Sequence, residues 1–275
     1  MGTVIYCETK EATTPYIFTN TRIAVYSYEE VCYYIFHNPS LVTMEYLGRD
    51  FVEWVSEKLE MKELAEQLQE LLEQDTSLFD YLEVLLLAAN YYSKDEVALL
   101  FERMKTEASL PKVLQLKKQA DGFLDFQKYV RAIRIYDTIL SQESLEGEFA
   151  STIYHNKGVA LSRNFELQQA LKCFENAYEA YPNEVSLGCC LTIYFMMQDL
   201  DGAKQEAERL GVENAVYERI LSDYQRSEEG YEQTDAYLEF SRAQEDARYG
   251  QEKNAAKRLD KLIQGWKEDY RTQTT

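Results

Sequence analysis

The strongest constraint on the fold is an apolar frame that returns along the C-terminal half of the chain. Residues 152–182 read TIYHNKGVALSRNFELQQALKCFENAYEAYP, which predicts one helix carrying Tyr154, Lys157, Gly158 and Leu161 and a second carrying Ala170, Phe174 and Ala177. Gly158 and Ala170 are small enough for two helices to approach closely where they cross. Phe174 would fill the space between them, and Pro182 would stop the second helix because it lacks a backbone N–H. The second helix shows apolar residues at Leu167, Ala170, Leu171, Phe174, Ala177 and Tyr178. Moving 38 residues back gives Tyr129, Ala132, Ile133, Tyr136, Ile139 and Leu140, with a longer connection expected around 144–147. Moving 33 forward gives Leu200, Ala203, Ala207 and Leu210, and another 33 gives Ala236, Tyr237, Phe240 and Ala243. Four helices holding one frame predict four helical hairpins. Their second members fall near Lys128–Leu140, Glu166–Ala180, Leu200–Leu210 and Glu232–Ala247.

The best of these hairpins resembles the tetratricopeptide (TPR) repeat, a template of about 34 residues with marks W-x2-L-G-x2-Y, then A-x3-F, then P. The resemblance implies an all-α fold, a right-handed α-solenoid of TPR-like hairpins, here with a short N-terminal β element. It also implies that the first helix of each hairpin lines a concave face. The residues so implicated are Lys117, Asp121 and Leu124 in the first unit, and Thr152, His155, Asn156, Val159 and Arg163 in the second. The third offers Thr192 with either Phe195 or Met196. Polar residues at these spacings fit a solvated inner wall as well as a binding groove, and Phe195, Met196 and Met197 fit the core better than the groove. Leu191 and Tyr224 stand where a small crossing residue is expected, so the last two pairs should splay, and no residue equivalent to Pro182 follows them. TPR domains that grip chaperone C-terminal tails use a Lys, Asn and Arg clamp. Lys117 and Asn156 match it. Asp121 replaces an Asn, and Val185 or Ser186 and Cys189 or Cys190 replace the bases, so a chaperone tail is not the expected ligand.

The residues before the repeats read differently. Thr3–Cys7 and Arg22–Tyr26 are short, β-branched and aromatic, and predict two strands with Ile17-Phe18 between them. Ser27 and Glu30 predict a capping box opening a helix that ends at Asn38-Pro39, with His37 positioned to cap its last carbonyls. The stretch YSYEEVCYYIFHNPSLV resembles the opening of uncharacterised bacterial repeat proteins, a resemblance that brings no chemistry with it. Asp50 is expected to cap a helix bearing Phe51, Trp54 and Val55. Leu64, Ala65, Leu68, Leu71 and Leu72 form an apolar stripe, and a mostly apolar helix around 78–92 should be central. Ser93 and Glu96 form another capping box. The expected organisation is an N-terminal module over 1–110 and TPR-like repeats over 111–275. The last of these would be an amphipathic helix from about Gln251 to Arg271 that caps the array with Ala256, Leu259, Leu262, Ile263, Trp266 and Tyr270.

The formal charge is −19. Up to Leu110 there are 20 acids against 8 bases, and beyond it 28 against 21. Such a field repels phosphate backbones, which makes nucleic acid a poor expected partner; it fits a solvated surface that aids solubility, and the sharper alternative is the steering of a partner of basic character. No apolar run approaches the roughly 20 residues of a membrane span, and the start shows no secretory signal, so a cytoplasmic location is expected. The five cysteines have no C-x-x-C spacing, which points away from a zinc site or a disulfide framework.

No G-x-S-x-G, phosphate-cradling glycine loop, H-E-x-x-H or EF-hand loop occurs. Asp199 and Asp201 flank a turn and read as helix capping. The expected function is therefore non-catalytic, with no cofactor: a scaffold or adaptor binding a protein or peptide. The alternative is a regulatory module holding a small effector in a pocket among Phe51, Trp54 and Leu85.

Overall fold

The computed structural model describes residues 9–141 and 145–274. It is mostly helical, with one short two-stranded sheet, and it divides into two compact units, Met1–Gly122 and Phe123–Thr275.

In the first unit, β1 (Tyr16–Phe18) and β2 (Ile23–Val25) pair antiparallel, Tyr16 opposite Val25 and Phe18 opposite Ile23. Ile23–Val25 was expected to be a strand, but its partner is the segment read as a connection. The segment 3–7 lies outside the described residues. The turn closes through Arg22 in the left-handed region (φ 58°) and its N–H to the Phe18 carbonyl at 2.7 Å. Alternation then puts Phe18 and Val25 in the core and Ile17 in solvent.

Helix α1 (Tyr28–His37) is followed by 3-10 turns at Pro39–Leu41 and Met44–Leu47, then α2 (Arg49–Glu57), α3 (Lys62–Glu73), α4 (Leu78–Leu87) and α5 (Lys94–Ser109). Ser27 accepts from the Glu30 N–H as expected, but the bond back to the Glu30 carboxylate comes from Tyr26 N–H. Asp50 is not a cap. Gly48 holds that position, and Asp50 lies in the first turn, where its charge suits the helix dipole. His37 does not cap α1 either. Its ring lies 4.1 Å from that of Tyr33, and Asn38 Nδ2 donates to the Tyr34 carbonyl instead. The Ser93–Glu96 capping box is complete.

Tyrosines tie this core together. The rings of Tyr28 and Tyr81 are fully buried, and their hydroxyls donate to the carbonyls of Leu85 and Leu47 at 2.6 and 2.8 Å. Tyr16 donates to the Tyr46 carbonyl at 2.6 Å. The carbonyls of Tyr46 and Leu47 belong to the 3-10 turn, where regular helical acceptance is incomplete, so a phenol completes what the backbone leaves open. Burial pushes both the Tyr28 and Tyr81 phenols far above their ordinary value, which keeps them neutral donors.

Helix α6 (Lys112–Asp125) spans the division between units. The second unit continues with α7 (Tyr129–Leu140), α8 (Gly147–Arg163), α9 (Leu167–Ala180), α10 (Glu184–Met196), α11 (Leu200–Arg209), α12 (Asn214–Tyr231), α13 (Asp235–Arg248) and α14 (Glu252–Thr274). Helices α7, α9, α11 and α13 occupy the four stretches that the apolar frame marks out.

Helices α8 and α9 are the most closely packed pair. A Cβ on Gly158 would stand 2.8 Å from one carbon of the Phe174 ring, so glycine is what lets the ring sit in the crossing. Helix α10 packs on α9 and, less closely, on α11 and α12. Leu191 lies fully buried in a cluster with Leu187, Phe195 and Ala203. The frame is also written into the backbone. Residues in the left-handed region recur at Gln127, Phe165 and Gln198, spaced by the same 38 and 33 residues. Each is followed by the same bond, Lys128 N–H to Phe123 O, Glu166 N–H to Leu161 O and Asp199 N–H to Tyr194 O, at 2.7, 2.9 and 3.0 Å. This is the Schellman closure of a helix C-terminus.

The frame does not extend to α12 and α13. Tyr231, the next position in register, is not left-handed, and α13 packs chiefly on α14. The buried Ala243 and Ala255 permit that approach. Arg258 fastens it, reaching Asp246 at 2.9 Å and Glu239 at 2.7 Å. Helix α14 also touches α7. Its apolar residues are covered only in part: Ala255 is buried whereas Ala256, Ile263 and Trp266 are exposed. No helix among the described residues is long and apolar enough to cross a membrane.

Candidate functional site

Helices α8 and α10 present two open depressions in the second unit. On α8, Thr152, His155, Val159 and Arg163 recur at intervals of three or four residues, which puts them on one face. On α10, Val185, Gly188, Cys189, Thr192 and Met196 do the same. The larger depression, ≈ 1070 Å³, is lined by Val159 and Arg163 from α8, by that α10 stripe, and by Leu124 and Tyr129 beside the first turn. The smaller, ≈ 200 Å³, is lined by Thr152 and His155 with Tyr181, Asn183, Val185 and Ser186.

Five of the eight residues expected on a common face, Thr152, His155, Val159, Arg163 and Thr192, thus line these two depressions. Lys117 and Asp121 do not. They pair with each other on α6, Nζ to Oδ2 at 2.6 Å, and belong to the first unit. Asn156 is half-buried on α8 and lines neither depression. Of the alternatives at the end of α10, Phe195 is buried in the core and Met196 faces the larger depression.

Three apolar side chains at this site are unusually open: Phe165 at 77 % exposure, Val185 at 67 % and Met196 at 44 %. Phe165 holds the left-handed position between α8 and α9 (φ 63°), where glycine or asparagine is the ordinary occupant. Arg163, one turn from Val159, has no ion-pair partner among the described residues. Glu184, on the rim, is engaged by Arg219 at 2.9 Å.

The polar groups of the smaller depression serve the backbone. Asn183 accepts from the Ser186 N–H at 2.8 Å as the N-cap of α10. Ser186 Oγ lies 3.1 Å from His155 Nδ1. Its hydroxyl is buried, and the ring's other neighbour is Phe174, 5.4 Å between centroids. No carboxylate is bonded to the imidazole among the described residues, so the pair lacks the third member of a nucleophilic triad. Burial lowers the His155 imidazole below its ordinary value.

The four described cysteines are free thiols. Burial raises those of Cys173 and Cys189 and pushes Cys32 and Cys190 up to about 12, leaving little thiolate for nucleophilic work. No cluster among the described residues could hold a metal ion, and Asp199 is the N-cap of α11, accepting from Gly202 N–H at 2.8 Å. Phe51, Trp54 and Leu85 are core residues, with Phe51 and Trp54 against the Tyr16 ring and Trp54 Nε1 donating to the Thr14 carbonyl at 2.8 Å.

The depressions therefore offer shape, apolar contact and a free guanidinium. Compared with known protein families and with characterised proteins, the chain matches no family model and no characterised sequence.

Proposed function

We propose that this protein is a non-catalytic interaction scaffold, a TPR-like α-solenoid that takes a protein or peptide segment along the face made by α8 and α10. The carrying observation is the exposed set Phe165, Val185 and Met196 around an open depression in the second unit. An apolar side chain held in solvent at a backbone position that disfavours it gains nothing for the fold, whereas association would remove it from water. The i, i+3, i+4 spacing of the α8 and α10 stripes suits an extended or helical segment, with Arg163 available to a carboxylate of that segment. The chain's net charge of −19 would speed the approach of a partner whose remaining charge is basic.

The test is capture from native lysate by wild type and by a Phe165→Asp/Met196→Asp variant, with circular dichroism to verify that helicity is kept. Both side chains are exposed, so the fold should survive. The variant should lose the partners that wild type retains. Retention of the same partners by a folded variant would refute the assignment of the face.

A further inference from the structure

We propose that α14 is a self-association surface and that its partner is α14 of a second copy, laid antiparallel across a two-fold axis. Ile263 and Trp266 are 40 % and 51 % exposed on the apolar stripe of this helix, C-terminal to the part that Ala255 buries. Asp260 and Lys267 flank Ile263 along one line of the helix, at intervals of three and four residues. Both are exposed, and neither has an ion-pair partner among the described residues.

That spacing is self-complementary in one direction only. A two-fold axis passing between residues 263 and 264 leaves Asp260 and Lys267 each about 5 Å along the helix from the centre, at 1.5 Å per residue. Antiparallel helices then set Asp260 of each copy against Lys267 of the other, twice, with Ile263 and Trp266 between the two pairs. A parallel pairing would oppose Asp260 to Asp260 and Lys267 to Lys267. Two-fold closure is the commonest symmetry of such assemblies, and a patch carrying its own complement is what it needs. Helix α14 has six bases against four acids in a chain of net charge −19, so two copies repel each other less here than over an average patch.

A basic amphipathic helix with an exposed Trp could instead lie on an anionic membrane, and the charge reversals separate the two cases by sign. Sedimentation equilibrium of the full chain should give a mass that rises with concentration to twice that of the monomer. Asp260→Lys and Lys267→Glu should each weaken association about tenfold, because each converts two exposed attractive pairs into repulsive ones. The double variant should regain wild-type association, and Trp266→Ala should be monomeric with unchanged helicity. Overturning results are a monomer at all concentrations, a dimer indifferent to the single reversals, or a double variant that is not restored. So is binding to phosphatidylcholine–phosphatidylserine vesicles that Asp260→Lys strengthens and Lys267→Glu weakens, which would make α14 a membrane surface.

Discussion

Replacing Gly158 by alanine tests the contact that organises the second unit. A Cβ at this position would lie 2.8 Å from one carbon of the Phe174 ring and 3.0 Å from two more. The ring cannot simply turn aside, because it is buried in a cluster with Leu161, Cys173, Cys190 and Ile193. Two opposed effects decide the sign. Alanine is better than glycine in a helix interior by about 1 kcal/mol, and inserting a methyl group into a packed core costs about 1–3 kcal/mol. The expected outcome is a net loss of about 1 kcal/mol. Gly188 on α10 provides the control, since a Cβ there meets no neighbouring atom within 4 Å. Gly188→Ala should therefore gain most of that ~1 kcal/mol of helix propensity. In urea unfolding followed by circular dichroism, the two variants should shift the midpoint of the second unit in opposite directions, each by a few tenths of a molar or more for m of about 1–3 kcal/mol/M. Phe174→Leu should cost less in the Gly158→Ala background than in wild type, because the shorter side chain relieves the clash. If Gly158→Ala raises the midpoint as Gly188→Ala does, close approach at this crossing is not what holds α8 on α9.

Tyr28→Phe should lower the stability of the first unit by about 1–3 kcal/mol, measured by urea unfolding, since the Leu85 carbonyl and the Ala89 N–H both lose the buried hydroxyl they share. For His155, burial holds the folded-state imidazole below its unfolded value, so the unfolded chain takes up its proton first. Its contribution to stability is complete above pH ~6.5 and is lost as pH falls through the folded value. His155→Gln should remove that part of the acid-side slope, and an NMR titration should place the wild-type imidazole on the acid side of an ordinary histidine.

What the sequence makes legible follows from how local each signal is. The second helices of the hairpins are readable because small and apolar residues repeat at helical spacing, as in Ala170, Phe174 and Ala177. The Ser93–Glu96 box is readable because its two bonds span three residues and nothing else competes for them. Pairing of β1 with β2 is not readable, because the turn 19–22 contains no glycine and its left-handed residue is an arginine. The α8 side of the candidate site follows from what the TPR resemblance implies about the first helix of a hairpin. Phe165 does not, since its standing in solvent depends on a turn conformation that its residue type argues against. Lys117 was assigned to the same face by repeat register, but an Asp one turn away on its own helix captures its ammonium group.

The packing of the second unit changes character at α13 and α14. At the positions in register, Gln127, Phe165 and Gln198 are left-handed and are followed by an identical bond, whereas Tyr231 is not left-handed; Gly211 and Gly250 close α11 and α13 with that same bond, Val212 N–H to Ala207 O and Gln251 N–H to Asp246 O. Tyr224 of α12 packs against the Phe195 ring of α10, 5.5 Å between centroids. Helix α13 instead meets α14, through the buried alanines 243 and 255. Close packing in this unit thus follows the small residues, at Gly158 against Phe174 and at Ala243 with Ala255, more faithfully than it follows the order of the repeats. Helix α14 meets α13 with only the first part of its stripe. Its later part, Ile263 and Trp266, is left in water by the same choice of partner that closes the hairpin.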